Sequence, residues 1–403
     1  MRILVVAYEF PYPPTTGGRS DIWRRLKALR SLGHEVMLIT WAYQKSGFRP
    51  SEDQVAIVSG MVTKLTVMDI SASTLRRGIS LMLHPYLPWP ALCRLVPNTT
   101  AKGIERDARA FGPAVLLVDG LYGLDLAKRL SASLDIPLAY RSHNIEYEYV
   151  SALWRAATGL KEKLRLSLYH LGLRRFEKSA FSHASVVYDI SADGATHWRS
   201  HGYSHVEVLP PFLDDADSKS DQCQADQLGE VRFLCGYLGN LYSPANVYGI
   251  KWFCEQVLHL LPSTAKVLIA GSRPTADVVA FLGRYPQVTL WPDPPMVSDV
   301  YNAVQVLINP IFHGSGVSIK TVDMMGSGKP VISTSVAKRG LSAEACEGFF
   351  FGDDPGEFAA AIQQCAVHAI SPANLEHRRL IVEEQFGRNA IRRFDDSLQR
   401  IIQ

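Results

Sequence analysis

No apolar run in the chain reaches the roughly 18 residues that a membrane-spanning helix needs. The opening stretch, Met1-Arg2-Ile3-Leu4-Val5-Val6-Ala7, passes directly into Tyr8-Glu9 and is too short for a signal-peptide core. The six cysteines, Cys93, Cys223, Cys235, Cys254, Cys346 and Cys365, include no Cys-x-x-Cys pair. That spacing excludes a zinc-ribbon framework and fits a reducing compartment. Charge of one sign is also scarce. Lys and Arg total 42 against 39 Asp and Glu, a net charge of +3, which does not point to nucleic acid. There is no internal repeat, no low-complexity tail and no Gly-x-Gly-x-x-Gly dinucleotide fingerprint. Together these absences lead to the expectation of a cytoplasmic protein, with any membrane contact peripheral and at the inner face of the cell membrane.

What is present describes a globular chain of 403 residues with 47% hydrophobic and 20% charged residues, long enough for two cores. Short apolar runs alternate with helical periodicity, the pattern of α/β units with parallel sheets. The clearest unit is 304–341. Val304 to Ile308 reads as a buried strand that stops at Asn309-Pro310. A glycine loop follows, Gly314-Ser315-Gly316, and then helical spacing from Val317 to Met325. Gly326-Ser327-Gly328 ends the helix, and after Pro330 the run Val331 to Thr334 is the next strand.

This loop has the chemistry of a phosphate site. Two glycines let backbone N–H groups converge, and the helix behind them offers unpaired N–H groups and a partial positive charge. Lys320 lies in the first turn, where its amine reaches an oxyanion. Asp323 shares a face with Lys320 and could accept hydrogen bonds from a ribose diol. A P-loop is excluded, because Ile319 precedes Lys320 where glycine is required, and Gly326-Ser327-Gly328-Lys329 runs into Pro330. On the residues alone, glycines used purely for turn geometry remain an equal alternative.

The stretch resembles the C-terminal signature of GT-B glycosyltransferases of the retaining group 1, or family 4, type. Gly314, Gly316, Lys320, Asp323, Gly328, Lys329, Pro330 and Val331 carry the match. The family often has two glutamates where Ser315 and Asp323 stand here. Branches with a Gly-Ser/Thr-Gly loop usually carry arginine where this chain has Ser318. The resemblance implies an α/β protein of GT-B architecture: two Rossmann-like parallel-sheet domains facing across a cleft, with a C-terminal helix crossing back. The expected boundaries are an acceptor-side domain at 1–209, a linker at 210–228, a donor domain at 229–370 and returning helices at 371–403. Asp215-Ala216-Asp217 looks like the metal-binding Asp-x-Asp of the other glycosyltransferase fold, but it lies in the expected linker, so no metal is expected.

The same resemblance extends to other sites. Gly17-Gly18, before the first expected helix at Arg19 to Leu32, matches the glycine pair that lines the family's cleft, and Arg19 beside it could meet an anion. Arg141-Ser142-His143-Asn144-Ile145-Glu146 follows the expected strand Ile136 to Tyr140, where open α/β sheets bind ligands. It is similar to a motif whose histidine faces the transferred sugar. Arg141 joins the acceptor side on this reading, and Glu146 could orient His143 or cap the next helix. Gly239 and Asn240 match a turn that approaches the donor diphosphate. Asn240 and Asn246 stand near positions where relatives carry Arg and Lys, so neutralisation is expected to rest on Lys320. Arg273 is a further candidate for phosphates or base. Leucines interleaved with Arg155, Lys161, Lys163, Arg165, Arg174, Arg175 and Lys178 form either a solvated face or a membrane-facing one. The aromatic stretch Thr74 to Val96, with Arg76 and Arg77, is expected to be a packed irregular connection, the alternative being contact with lipid or a hydrophobic acceptor.

The function that this resemblance implies is transfer of a sugar from a nucleotide-diphosphate donor to a sugar or lipid-linked acceptor hydroxyl, with retention of configuration and no required cofactor. The expected setting is surface polysaccharide or glycoconjugate synthesis, without nucleic-acid partners. His143 and Lys320 are the expected catalytic residues. A catalytically silent nucleotide-sugar-binding protein and a nucleotide-sugar epimerase are the alternatives.

Overall fold

The computed structural model describes residues 1–43, 49–70, 82–84, 86–157, 159–213, 232–312, 317–347, 349–367 and 372–403. The chain divides into two units, Met1–Pro210 with Ile391–Gln403, and Pro211–Ala390. Most of the expected linker, with Asp215 and Asp217, lies outside the described residues.

The first unit holds a parallel sheet of seven strands: β1 Arg2–Ala7, β2 Glu35–Tyr43, β3 Lys64–Ile70, β4 Val115–Asp119, β5 Leu138–Ser142, β6 Val186–Asp189 and β7 Val206–Val208. Their order is β3-β2-β1-β4-β5-β6-β7. Ile3 to Ala7 is buried throughout, as are all of β4 and β5, because helices cover both faces of a parallel sheet. The register pairs Val6 with Ile39 on one side and with Val118 on the other. β3 is an edge strand of mixed polarity, half exposed, and its alternation is too weak to read from sequence.

The second unit carries a parallel sheet of six strands: β8 Phe233–Asn240, β9 Val267–Ser272, β10 Val288–Pro292, β11 Val304–Asn309, β12 Val331–Ser333 and β13 Phe350–Phe351, in the order β10-β9-β8-β11-β12-β13. Both sheets therefore reverse direction of addition at one point, between β1 and β4 in the first and between β8 and β11 in the second. Crevices for ligands in open α/β sheets form at the carboxyl ends of the strands at such points.

Three features refine the sequence reading. The segment in which leucines and cations interleave lies in three helices, Glu146–Ala156, Leu160–His170 and Leu173–His183, interrupted near Gly159 and Gly172. The first helix starts at Gly17, not Arg19, because Thr16 caps it by accepting from the Arg19 N–H. The terminal helix Arg388–Arg400 packs on the first sheet: Ser397 bridges Tyr188 and Glu207 at 2.9 and 2.7 Å, and Asp395 accepts from His34 at 2.8 Å. The crossing-back of the C-terminus follows from these contacts.

Gly249 shows how tightly β11 is backed. It sits in the helix Pro244–Trp252, and a Cβ there would lie 1.6 Å from the Pro310 carbonyl oxygen. Gly249→Ala gains about 1 kcal/mol of helix propensity. The clash is with backbone, which yields little, so a net loss of about 2 kcal/mol is expected. An unchanged melting temperature would contradict this close packing.

Candidate functional site

In the second unit the switch point lies between the ends of β8 and β11. Asn309 closes β11, fully buried, and its Nδ2 donates to Thr321 Oγ1 at 2.9 Å. That bond ties the strand to the helix Ile319–Gly326, which Ser318 caps by accepting from the Thr321 N–H at 3.3 Å. Lys320 is the second residue of the helix. Its Nζ donates to Tyr237 Oη at 3.0 Å and lies 3.5 Å from Asn246 Oδ1 and 4.3 Å from the centre of the Tyr237 ring. Asn246 is held in turn by donating to the Asn240 carbonyl at 2.9 Å. Among the described residues, Lys320 has no carboxylate partner. Burial alone pushes its amine down to about 7. A half-buried amine among neutral polar groups, with no carboxylate partner among the described residues, is a candidate anion site.

The expected donor residues arrange themselves around this amine unevenly. Gly239, next to last in β8, lies against Tyr237, so that a Cβ would come 2.5 Å from the Tyr237 hydroxyl. Asn240 turns inward, its Oδ1 accepting from the Tyr242 N–H at 2.8 Å. Asp323 is half-buried one turn along from Lys320. Arg273 is exposed on a left-handed turn at φ 56°, its N–H bonded to Asp293 at 3.1 Å. Gly314, Ser315 and Gly316 lie outside the described residues.

In the first unit, the loop after β1 and the ends of β4 and β5 bring together a buried charge network. Arg141, entirely buried, donates to both oxygens of Asp21 at 3.0 and 3.2 Å, and also to the Leu209 carbonyl. Arg25 donates to Asp119 Oδ2 at 2.8 Å and also to Asp21. His143 lies over the network with Nε2 2.9 Å from Asp119 Oδ1 and 3.4 Å from Asp21 Oδ2. Burial pushes the Asp21 carboxyl up, but Arg141 and Arg25 outweigh it and hold it well below the usual range. Asp119 is likewise lowered, burial being outweighed by Arg25 and His143.

These contacts change several expected roles. Arg141 does not face a ligand; it supports the network from beneath. Asp119 orients His143, a role that sequence reading gave to Glu146. With Nε2–H donated to Asp119, the Nδ1 of a neutral His143 is an acceptor with no partner among the described residues. Glu146 does not cap its helix either. Glu177, fully buried, does so by accepting from the Glu146 and Tyr147 N–H groups at 2.6 and 3.1 Å. Burial pushes the Glu177 carboxyl up to about 8. Glu146 accepts from Tyr122 Oη at 2.9 Å, and burial raises its own carboxyl as well. Arg19 is paired with Glu9 at 3.1 Å.

Tyr8, unnoticed in the sequence, sits at the centre of this end of the sheet. Its ring edge meets Tyr122 at 6.2 Å and His143 at 5.9 Å between centroids. Gly120, at φ 83°, lies beneath it, where a Cβ would come 2.3 Å from the ring. Gly18 lies under the Tyr8 hydroxyl, while Gly17 is exposed at the helix start. Asp21 and Arg25 also escaped notice. They occupy one face of the first helix as polar residues in apolar spacing, a signal that could have marked them as buried. Tyr237 had a comparable signal, a tyrosine inside the run Gly236-Tyr237-Leu238-Gly239 of β8.

Asp21, Asp119 and His143 offer donor atoms within 4.8 Å of one another, a spacing that suits a metal ion. Two guanidiniums already occupy both carboxylates, and a cation would be added beside like charge, so the set fits an ion-pair network better.

Residues 232–367 match the family model described as "Glycosyl transferases group 1". Among curated proteins, the chain is 25% identical over 374 residues to a Klebsiella pneumoniae protein called "Uncharacterized 44.6 kDa protein in cps region", with 90% of each chain covered. Two solved structures show the fold. Anabaena Alr3699/HepE, solved in complex with UDP, superposes with a TM-score of 0.65 at 15% identity, covering 99% of this chain and 100% of that one. WaaG, described as a glycosyltransferase involved in lipopolysaccharide biosynthesis, superposes with a TM-score of 0.62 at 14% identity over 98% of both chains.

Proposed function

We propose that this chain, whose C-terminal unit is a group 1 glycosyltransferase domain and whose fold is GT-B, transfers a sugar from a nucleotide-diphosphate donor to an acceptor hydroxyl. The observation that carries the reading is Lys320: a half-buried amine with no carboxylate partner among the described residues, at the start of the helix after β11, at the switch point of its sheet. A diphosphate leaving group develops charge as the glycosidic bond breaks, and a fixed cation in a low-dielectric setting stabilises that charge strongly. Asp323 is assigned to the ribose and Gly239 and Asn240 to the diphosphate side. His143, held by Asp119, offers Nδ1 to a sugar hydroxyl.

Retention of configuration is part of the proposal, with the leaving diphosphate accepting the acceptor's proton, since no protein carboxylate is assigned as nucleophile. No metal is assigned, the cationic role being given to Lys320. HepE has been solved with UDP and also with UDP-glucose, so UDP is the first nucleotide to test. The cps-region relative and WaaG support a setting in surface polysaccharide or glycoconjugate synthesis. Among the described residues, no helix is long and apolar enough to cross a membrane.

A thermal-shift screen against UDP, GDP, dTDP, ADP and CMP, with and without Mg²⁺, tests this reading. One nucleoside diphosphate is expected to raise the melting temperature without metal, by the equivalent of about 3 kcal/mol at a hundredfold excess over Kd. No shift with any of the five would overturn it.

A further inference from the structure

We infer that Tyr237 is a positioning residue of the donor site: its hydroxyl and ring face fix the Lys320 amine where a diphosphate meets it, and Gly239 is bare of a side chain to admit that hydroxyl. The inference deepens the proposed transfer reaction, and it rests on that reading for the identity of the anion.

One tyrosine holds the amine in two ways. Lys320 Nζ lies 3.0 Å from Tyr237 Oη and 4.3 Å from the centre of the same ring, so Tyr237 offers it a hydroxyl lone pair and a π face together. Asn246 adds a longer contact at 3.5 Å and is itself tied to the Asn240 carbonyl. The ring cannot follow the lysine. Tyr237 is 1% exposed and belongs to one buried cluster with Ile250, Ile269 and Ile308. The lysine stem, by contrast, is a flexible four-carbon chain. A fixed acceptor selects one place for its charge, and a charge placed in advance is what stabilises a leaving group.

Gly239 is an independent sign of the same arrangement. A glycine is often required by a left-handed backbone, but Gly239 is not among the residues at positive φ. The neighbour that forbids a side chain there is Tyr237. A Cβ on Gly239 would lie 2.5 Å from the Tyr237 hydroxyl oxygen and 2.9 Å from the ring carbon that bears it. The two residues are two apart in β8 and so share a face of the strand. The strand gives up one side chain on that face, and the hydroxyl occupies the space.

The groups that face the amine are neutral. Tyr237 comes from β8 and Asn246 from the helix Pro244–Trp252, while Asp323 lies one turn along the lysine's own helix. Burial pushes the Tyr237 hydroxyl above its ordinary value, so it stays a phenol and does not cancel the lysine charge as a phenolate. A neutral acceptor bonds the ammonium more strongly than it bonds the free amine. Tyr237 therefore sets how much of Lys320 is charged near neutral pH, and with it the pH range over which the donor is held.

The test is an NMR titration of the full chain with its lysines labelled with carbon-13 at Cε. The Lys320 signal is the one missing from Lys320→Met. Its midpoint is expected at about 7 in the wild type. It should fall by about one pH unit in Tyr237→Phe, which keeps the ring and loses the acceptor. Gly239→Ala, which pushes the hydroxyl aside, should move it the same way. Titration with UDP, or with whichever of the five nucleotides raises the melting temperature, gives the second readout. The Kd of Tyr237→Phe should exceed the wild-type value about tenfold at about pH 9 and approach it at about pH 5, where both lysines are charged. An affinity loss equal at both pH values would mark a merely structural role and overturn the inference. A Lys320 midpoint unmoved in both variants would overturn it as well. A moved midpoint in a protein that binds none of the five nucleotides would uphold the role of Tyr237 at Lys320 and remove the transferase reading instead.

Discussion

Replacing Lys320 with alanine or methionine is expected to lower kcat/KM by about a thousandfold, the loss of one preorganised charge from a leaving-group site. The fold should survive. The amine has neutral partners only, Tyr237 and Asn246, among the described residues, and burial lowers it to about 7, so in the resting protein it is a strained guest more than a support. Its pH signature has a definite sign. The unfolded chain holds this proton up to about 10.4, whereas the folded one releases it near 7. Between these values the unfolded state binds more protons, so the contribution of Lys320 to stability improves as pH rises through that window and is worst below it. The melting temperature of the wild type should therefore gain on that of Lys320→Met from pH 7 upward. A variant that keeps near-normal turnover, measured with donor and acceptor, would remove Lys320 from the mechanism.

Arg141→Ala is expected to cost about 3–5 kcal/mol of stability, the usual penalty for leaving one member of a buried ion pair without its partner. Arg141 is entirely buried and bidentate to Asp21, whose remaining partners are Arg25 and, at 3.4 Å, His143. Arg141→Lys should rescue little, because an ammonium cannot reproduce the planar fork or reach the Leu209 carbonyl at the same time. Urea denaturation gives the measure. The same network fixes the acid limb. Asp21 and Asp119 both titrate below the usual carboxylate range, so their contribution is complete above about pH 4 and is lost as pH falls further. An Arg141→Ala midpoint within error of the wild type would show that the network is not a unit.

These two residues mark where sequence reading succeeds and where it stops. Lys320 was legible because its position follows from local grammar: a buried strand, an Asn-Pro stop, a glycine loop and a helix start. Its partner Tyr237 was not, since the pair is 83 residues apart in sequence and no periodicity links them. Arg141 looked like a ligand-facing cation because it lies at a strand end. Its burial depends on Asp21, 120 residues away on the first helix. The strands with continuous apolar runs, such as β1 and β4, were plain from composition, whereas the polar edge strand β3 and the two-residue β13 carry too little pattern to stand out. Glu146 was given two alternative roles, orienting His143 or capping the next helix. The structure gives capping to Glu177 and the orientation of His143 to Asp119, both brought close only by the sheet.

The account turns on a diphosphate meeting the Lys320 amine, and calorimetric titration with UDP above pH 7 in two buffers of different ionisation enthalpy tests that meeting directly. Binding should draw one proton onto Lys320, so the apparent enthalpy should differ between buffers, and Kd should rise about tenfold per pH unit. In Lys320→Met both effects should vanish with most of the affinity. Tight UDP binding with no proton uptake, unchanged in Lys320→Met, would contradict the assignment of the donor phosphates to this site.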